Sequence, residues 1–149
     1  CDWGPTAMLP VLNILGGDYK EKHIISHIDK DGHDQFTKID FLYNHAVASV
    51  KVAQGVKSEG ELVISGTKGY IYVPAPWWKT DYFEIRYEDT SQNKRYFYQL
   101  DGEGIRYELV AFTKTIESGR NLSYVNEDVS NGVCKVIGDF YSRTDSSLI

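Results

Sequence analysis

Residues 101–117 come nearest to a cofactor-binding motif in this 149-residue chain. Gly102 and Gly104 have the spacing that begins a dinucleotide-binding loop, and they lie between a strand-like run and a stretch of helical periodicity. In that motif a third glycine lets the helix pack closely against the strand, and here Tyr107 stands in its place. We therefore expect a corner between a strand and a helix, not a cofactor-binding loop.

Aromatic residues are the best candidates for binding a substrate. Trp77 and Trp78 follow Pro74 and Pro76 at the predicted end of a strand. Paired tryptophan rings suit stacking on a sugar ring, and they suit burial in a domain interface equally well. Tyr107, at the start of the predicted helix, could direct its hydroxyl group into a cleft, or it could pack with that group bonded to the backbone.

The histidines lack the spacing of a metal site. His23 and His27 are four residues apart, which on a strand places them on one face but about 13 Å from each other. His33 and His45 add no ligand-like spacing. The sequence also lacks the G-x-S-x-G motif that would indicate a hydrolase. The sequence predicts no metal site.

The elements that must position these residues are a helix, six or seven strands and two further helices, in that order. Residues 19–100 alternate with period two between short turns, and consecutive strands with tight connections pair antiparallel. Helices at the two ends of the chain can cover only one face of such a sheet. The sequence predicts an α+β fold, an open, predominantly antiparallel β-sheet of about six strands with helices covering one face.

Several local expectations refine this outline. Pro5 suits the first turn of a helix, whereas Pro10 removes the hydrogen bond to the carbonyl of Thr6, so we expect a kink or a split helix there. A last helix is expected to start near Asn126, and residues 144–149 have the composition of a frayed tail.

The bulk composition narrows the class of protein. The length suits a single domain, 1–149, and the start at Cys1 without methionine suggests a piece of a longer protein. The net charge of −5 and the absence of a Lys/Arg-dense stretch argue against nucleic acid as a partner. No apolar run approaches the ~20 residues of a membrane span, and no signal peptide is visible. Two cysteines are too few for a disulfide framework, which favours the cytoplasm.

Neither face of the predicted sheet is polar. Tyr70 and Tyr72 alternate with Ile71 and Val73, and a similar alternation of rings follows at residues 96–98. An exposed aromatic surface of this kind usually contacts another protein surface. We expect the uncovered face to form an oligomer or an inter-domain contact.

Three stretches, in order along the chain, resemble the C-terminal domain of the Gfo/Idh/MocA oxidoreductases, the family of glucose–fructose oxidoreductase and inositol dehydrogenase. Asp2-x-Gly4 leads into an apolar helix, like the family's D-x-G-x-H helix start. Residues 60–71, GELVISGTKGYI, are similar to its strand, G-T-x-G turn and strand. Residues 102–119 resemble its G-x-G-F-x-Y-E-x-x-x-F-x-x-x-I-x-x-G helix.

This resemblance implies a substrate-binding and oligomerisation domain of an NAD(P)-dependent oxidoreductase acting on a carbinol of a sugar or nucleotide-sugar. The family's preceding Rossmann domain supplies the glycine loop and an E-K-P lysine. NAD or NADP would therefore be bound mainly by that domain in the parent protein, and we expect neither cofactor binding nor activity of this chain alone. The expected partners are its own Rossmann domain, a homo-oligomer (dimer or tetramer) through the open sheet face, and a sugar-like small molecule, but neither nucleic acid nor a membrane.

The resemblance also implies catalytic roles near the first helix. Asp2 matches an aspartate that lies beside the substrate hydroxyl, where a carboxylate can orient the carbinol O–H for oxidation. Thr6 stands where the family usually has histidine, and threonine can only relay a proton or form a hydrogen bond. Leu9 replaces a further family acid. Two alternatives stay open: a non-catalytic scaffold or dimerisation domain with an eroded active site, and a carbohydrate-binding module that uses Trp77 and Trp78.

Overall fold

The structure is a computed structural model that describes residues 3–102 and 104–149. These residues form an α+β fold with mostly antiparallel strands, as the sequence predicts. The helices are α1 (Gly4–Leu15), α2 (Ile105–Ser118) and α3 (Glu127–Tyr141), with a 3-10 turn at Thr90–Gln92. The strands are β1 (Glu21–Ile28), β2 (Asp34–Leu42), β3 (Val47–Ala53), β4 (Leu62–Ser65), β5 (Gly69–Val73), β6 (Tyr82–Tyr87), β7 (Lys94–Phe97) and β8 (Ser146–Leu148).

The strands form two four-stranded sheets, where the sequence predicts one sheet of about six strands. The chain divides into two compact units, one comprising Cys1–Lys57 with Tyr124–Ile149 and the other Ser58–Ser123. The first unit contains a sheet of order β3-β2-β1-β8, and the second a sheet of order β4-β5-β6-β7. The strand run is interrupted between β3 and β4, because residues 54–61 contain Gly55 and Gly60 and lose the alternation.

Helices α1 and α3 pack on one face of the first sheet. β1 pairs antiparallel with β2, which pairs antiparallel with β3, so alternate side chains of β1 and β2 point to one side. The buried apolar side chains are Met8 and Leu12 of α1, Ile24 of β1, Ile39 and Phe41 of β2, and Val129, Val133 and Val136 of α3. Burial of these side chains is the main source of stability in this unit.

The observed ends of the helices agree with the sequence predictions more closely than the observed interior of α1 does. Of the kink or split predicted at Pro10, the split does not occur, because α1 is one helix through Pro10; it ends before Gly16, which has a φ of 80°. α3 begins as predicted, since the side chain of Asn126 accepts a 2.8 Å hydrogen bond from the Val129 N–H. α2 ends at Gly119, whose left-handed φ of 65° suits a residue without a Cβ.

The predicted frayed tail is wrong for residues 146–148, which form β8. This strand pairs in parallel with β1, with Ile24 opposite Ser146. The Ile24 N–H donates to the carbonyl of Asp145 at 2.9 Å, and the Ile149 N–H donates to the carbonyl of Ser26 at 3.0 Å. The edge of β1 thus provides the hydrogen-bond partners that the short, polar tail lacks by itself.

The second sheet is an antiparallel meander of four strands that follow one another in the chain, and antiparallel pairing of consecutive strands agrees with the sequence prediction. β4 and β5 pair with Ile64 opposite Ile71, and β6 and β7 pair with Phe83 opposite Tyr96. Gly69 opens β5 at a φ of 159°, where an added Cβ would lie 2.4 Å from the carbonyl oxygen of Arg86. Close approach of two backbones therefore requires glycine at this turn.

Candidate functional site

Of the two residues with predicted catalytic roles, the structure describes only one. Asp2 lies outside the described residues. Thr6 lies in the first half of α1, within the first unit, and is half-buried. Because Pro10 has no N–H, the carbonyl of Thr6 has no donor four residues further along the helix. The backbone and hydroxyl oxygens of Thr6 are hydrogen-bonding groups, but neither is an acid–base group near neutral pH.

The predicted substrate-binding residues all lie in the second unit, and the tryptophans lie on the segment between β5 and β6. The Trp77 N–H donates to the carbonyl of Gly60 at 2.8 Å. A Cβ at Gly60 would lie 3.1 Å from the ring of Trp78, so that ring packs directly over the glycine. The two indole rings meet edge to face, with centroids 6.0 Å apart and an interplanar angle of 87°. Trp78 remains 41% exposed, which leaves part of its ring accessible.

Tyr107 fixes the strand-to-helix corner. Its phenol oxygen accepts a 3.0 Å hydrogen bond from the Asp101 N–H, and its own N–H donates to the carbonyl of Gly104 at 3.0 Å. Gly102 and Gly104 have φ angles of 76° and 92°, which favour glycine. The Asp101 N–H is thus already bonded to a bulky side chain, and the corner does not fit the close approach of a pyrophosphate.

A pocket of about 230 Å³ lies between the tryptophan-bearing segment and this corner. Its lining comprises Lys79, Thr80 and Asp81 from the first segment and Gln99, Leu100 and Gly102 from the second. Trp78 immediately precedes the first segment, and the Asp101 N–H that bonds Tyr107 belongs to the second. None of the three predicted substrate-binding residues is itself among these lining residues.

Backbone and hydroxyl hydrogen bonds hold the walls of this pocket in place. The Tyr98 N–H donates to the carbonyl of Asp81 at 2.7 Å and so joins the two lining segments. The Lys79 N–H donates to the carbonyl of Pro76 at 2.9 Å, and the Thr80 hydroxyl donates to the carbonyl of Tyr82 at 3.2 Å. The polar lining residues were not predicted, because polar residues beside a turn carry no periodic signal.

The face of the second sheet that carries Tyr70 is rich in rings and arginines. Its side chains are Tyr70 and Tyr72 of β5, Tyr82, Glu84 and Arg86 of β6, and Arg95 and Phe97 of β7. We call these seven side chains the aromatic face.

Contacts between arginines and aromatic rings, and hydrogen bonds to Glu84, hold the side chains of the aromatic face in place. The guanidinium of Arg86 lies 4.5 Å from the centroid of the Tyr72 ring, and that of Arg95 lies 4.8 Å from the centroid of Tyr82. Hydrogen bonds from Arg86 and then from Arg95 lower the pKa of Glu84 below its usual value.

Two features of the described residues bear on the class of site. Within residues 3–102 and 104–149, no group of three or more His, Cys, Asp or Glu side chains could hold a metal ion. Among the helices of these same residues, none has the length and apolar character needed to cross a bilayer. His23 instead shares a 3.0 Å hydrogen bond with the hydroxyl of Ser147.

The fold is that of known oxidoreductases. No protein-family model matches the sequence, and no curated protein matches it either. The crystal structure of KijD10, a 3-ketoreductase from Actinomadura kijaniata in complex with NADP and TDP-benzene, matches with a TM-score of 0.76 at 12% identity. That match covers 99% of this chain and 46% of KijD10.

Two other solved structures agree. The aldose-aldose oxidoreductase from Caulobacter crescentus, complexed with glycerol, matches with a TM-score of 0.73 at 15% identity over 95% of this chain and 43% of its own. The probable oxidoreductase yhhX matches with a TM-score of 0.62 at 17% identity over 95% and 47%. This chain thus spans about half the length of the structures that it matches, and at these identities the likeness shows a shared fold.

Proposed function

We propose that this chain is the substrate-binding and oligomerisation domain of an NAD(P)-dependent oxidoreductase that acts on a carbinol of a sugar or nucleotide-sugar. The observation that carries this proposal is the fold likeness to oxidoreductases, which extends over 95–99% of the chain in the three matches above. Two of the three matched proteins are described as a ketoreductase held with NADP and an aldose-aldose oxidoreductase.

The resemblance to the C-terminal domain of the Gfo/Idh/MocA oxidoreductases supports the same assignment. Its three stretches fall, in order, at the start of α1, on the β4–β5 hairpin and on the corner that opens α2. The parent protein would bind NAD or NADP mainly through its own Rossmann domain, and the bound nicotinamide would donate or accept the hydride. We expect this parent protein in the cytoplasm.

The residues of this chain would orient the substrate and leave hydride transfer to the cofactor. Asp2 would accept a hydrogen bond from the carbinol O–H, and Thr6 would hold or relay a proton at the same centre. Trp77, Trp78 and Tyr107 would form substrate walls. A pocket in the second unit, lined in part by Lys79, the residue after Trp78, supports this role.

The test uses the full-length protein with NADH, NADPH and a panel of sugars and sugar nucleotides. We expect at least one substrate to change the absorbance of the reduced nicotinamide. Asp2→Asn should lower kcat by about 100-fold or more, because it removes a charged orienting group. Asp18→Asn is the matched control and should leave kcat unchanged. Failure of both cofactors to bind at millimolar concentration would remove the enzyme assignment.

A non-catalytic scaffold is the second candidate, and Thr6 and Leu9 are the observations that favour it. Both occupy positions where the family has a proton-transferring or acidic residue. The preceding sequence of the parent protein discriminates between the two candidates. An intact glycine loop and E-K-P lysine support the enzyme, and their loss supports the scaffold.

Oligomerisation would use the aromatic face. Tyrosine, phenylalanine and arginine are enriched at the centres of protein interfaces, and this face combines all three. Phe97 is 72% exposed and Tyr70 is 38% exposed, so apolar ring area is available for a second copy. Light scattering in solution tests this part separately from catalysis.

A further inference from the structure

We infer that two copies of this protein form a dimer by exchanging β8, so that the β8 strand of each copy pairs with β1 of the other. The edge of β1 is then an interaction surface, and its partner is a second copy of this chain. This surface lies in the first unit. It is separate from the aromatic face, and it does not rest on the function proposed above.

The contacts that hold β8 on β1 can be supplied equally well by a second copy. Residues 24–26 of β1 pair in parallel with residues 146–148. A 3.0 Å hydrogen bond between Nε2 of His23 and the hydroxyl oxygen of Ser147 adds a side-chain contact to this pairing. Each of these contacts joins β1 to the segment that follows α3. They therefore form in the same way whether that segment belongs to the same chain or to another.

A buried ammonium group ensures that β1 does not stay without this segment. Nζ of Lys22 lies 2.8 Å from a carboxylate oxygen of Asp145, in the turn before β8, and 3.0 Å from one of Asp139 in α3. Only 3% of the Lys22 side chain is exposed, so removal of Asp145 leaves a poorly hydrated charge with one carboxylate fewer. A chain that releases its own β8 is therefore stabilised by capturing the same segment of a second copy.

The connection between α3 and β8 is short and strained. α3 ends at Tyr141 and β8 begins at Ser146, so residues 142–145 form the whole connection. Two of these residues are in the left-handed region, Arg143 at a φ of 62° and Asp145 at a φ of 51°. An L-residue in this region brings its Cβ close to the following carbonyl oxygen, and arginine tolerates this less well than aspartate does. The unexchanged form therefore stores backbone strain in this turn.

Exchange of β8 relieves that strain. When residues 142–145 straighten, Arg143 and Asp145 can adopt the extended conformation that L-residues prefer. The turn then gives up bonds such as the 2.9 Å hydrogen bond from the Thr144 N–H to the carbonyl of Asp139. Water can replace these bonds, since residues 142–145 are exposed. Short hinges under strain favour domain swapping for this reason.

Disulfide cross-linking tests the inference. Ile25 and Ser147 are opposite each other in the β1–β8 pairing, and neighbouring strands have a spacing that a disulfide can bridge. The test protein carries Ile25→Cys and Ser147→Cys. Cys1→Ser and Cys134→Ser remove the native thiols, and Phe97→Asp removes association through the aromatic face.

The position of the cross-link distinguishes the two forms. β8 must leave β1 before it can exchange, so the test protein is unfolded in urea and refolded at high and at low protein concentration before oxidation. After refolding at high concentration, we expect disulfides that join two chains, seen as a dimer on a non-reducing gel. After refolding at low concentration, mass action favours the single chain, and we expect the disulfide mainly within one chain.

The variant Arg143→Gly tests the contribution of strain. Glycine adopts a left-handed φ without steric cost, so this change stabilises the unexchanged turn in both copies. We expect the dissociation constant of the dimer, measured by light scattering, to rise by about tenfold or more. Arg120→Gly, the same change in the exposed segment between α2 and α3, should leave that constant unchanged.

Three results would overturn the inference. The first is a test protein that stays a monomer after refolding at high concentration. The second is a dimer whose disulfides all lie within single chains, which would place its interface elsewhere. The third is an unchanged dissociation constant in Arg143→Gly, which would show that the strained turn does not favour exchange.

Discussion

The Nζ atom of Lys22 lies 2.8 Å from a carboxylate oxygen of Asp145, and the two residues join the second residue of β1 to the turn before β8. A carboxylate oxygen of Asp139 in α3 lies 3.0 Å from the same Nζ atom. Only 3% of the Lys22 side chain is exposed. Burial by itself would lower the pKa of Lys22, but the hydrogen bonds to Asp145 and Asp139 outweigh it and raise that pKa. Lys22 is therefore charged at neutral pH and holds three elements together.

The first prediction concerns removal of this charge. Lys22→Met keeps the apolar stem and leaves two carboxylates that can still reach water, so we expect the free energy of unfolding to fall by about 1–3 kcal/mol. Urea denaturation measures it. Lys38→Met is the matched control, because Lys38 and Asp40 form an exposed pair that should contribute less than about 1 kcal/mol. Equal losses in the two variants would contradict the prediction.

The second prediction concerns pH. The hydrogen bond from Lys22 lowers the pKa of Asp145. A carboxyl group of this kind contributes stability above its unfolded pKa of about 3.9, and the contribution is lost as the pH falls through the lower folded pKa. We expect Asp145→Asn to be less stable than the wild type by a constant amount from about pH 5 to pH 8, and this difference to shrink below about pH 4. Unfolding curves across this range measure the difference, and a gap that widens in acid would refute the sign.

The third prediction compares one chemical change at two helix positions. Gly138 lies inside α3, and a Cβ there would meet no atom within 4 Å, so Gly138→Ala should raise the free energy of unfolding by about 0.5–1 kcal/mol. Gly119 caps α2 at a φ of 65°, so Gly119→Ala should lower it by about 1 kcal/mol. Thermal or urea unfolding of both variants provides the measurement. Shifts of the same sign would show that backbone conformation does not control the effect.

The fourth prediction tests the proposed oligomer. Phe97→Asp places a charge in the aromatic face, and we expect the mass measured by light scattering to fall to that of one chain, because burying an unpaired carboxylate is costly. Val47→Asp is the control, since Val47 is 78% exposed on β3 of the first unit and should leave the mass unchanged. A wild-type protein that is a monomer at high concentration would remove the prediction.

Local sequence patterns predicted many elements of the fold. The β4–β5 hairpin and the helix start at Asn126 were predicted, because each depends on residues close together in the chain. Period-two alternation and helix caps are local signals. The roles of Trp77, Trp78 and Tyr107 in substrate binding stay a prediction, made from residue type and position beside a strand end or helix start.

The sequence determined the α+β class and the strand-rich region of residues 19–100, and only the tertiary structure decided the division into two sheets, the formation and pairing of β8 and the pocket lining. Lys22 and Asp145 are far apart in sequence, and so are Ile24 and Ser146. No periodic pattern connects such pairs. Their contacts form because a buried ammonium group requires carboxylates, and an open strand edge requires hydrogen-bond partners, wherever in the chain the fold supplies them.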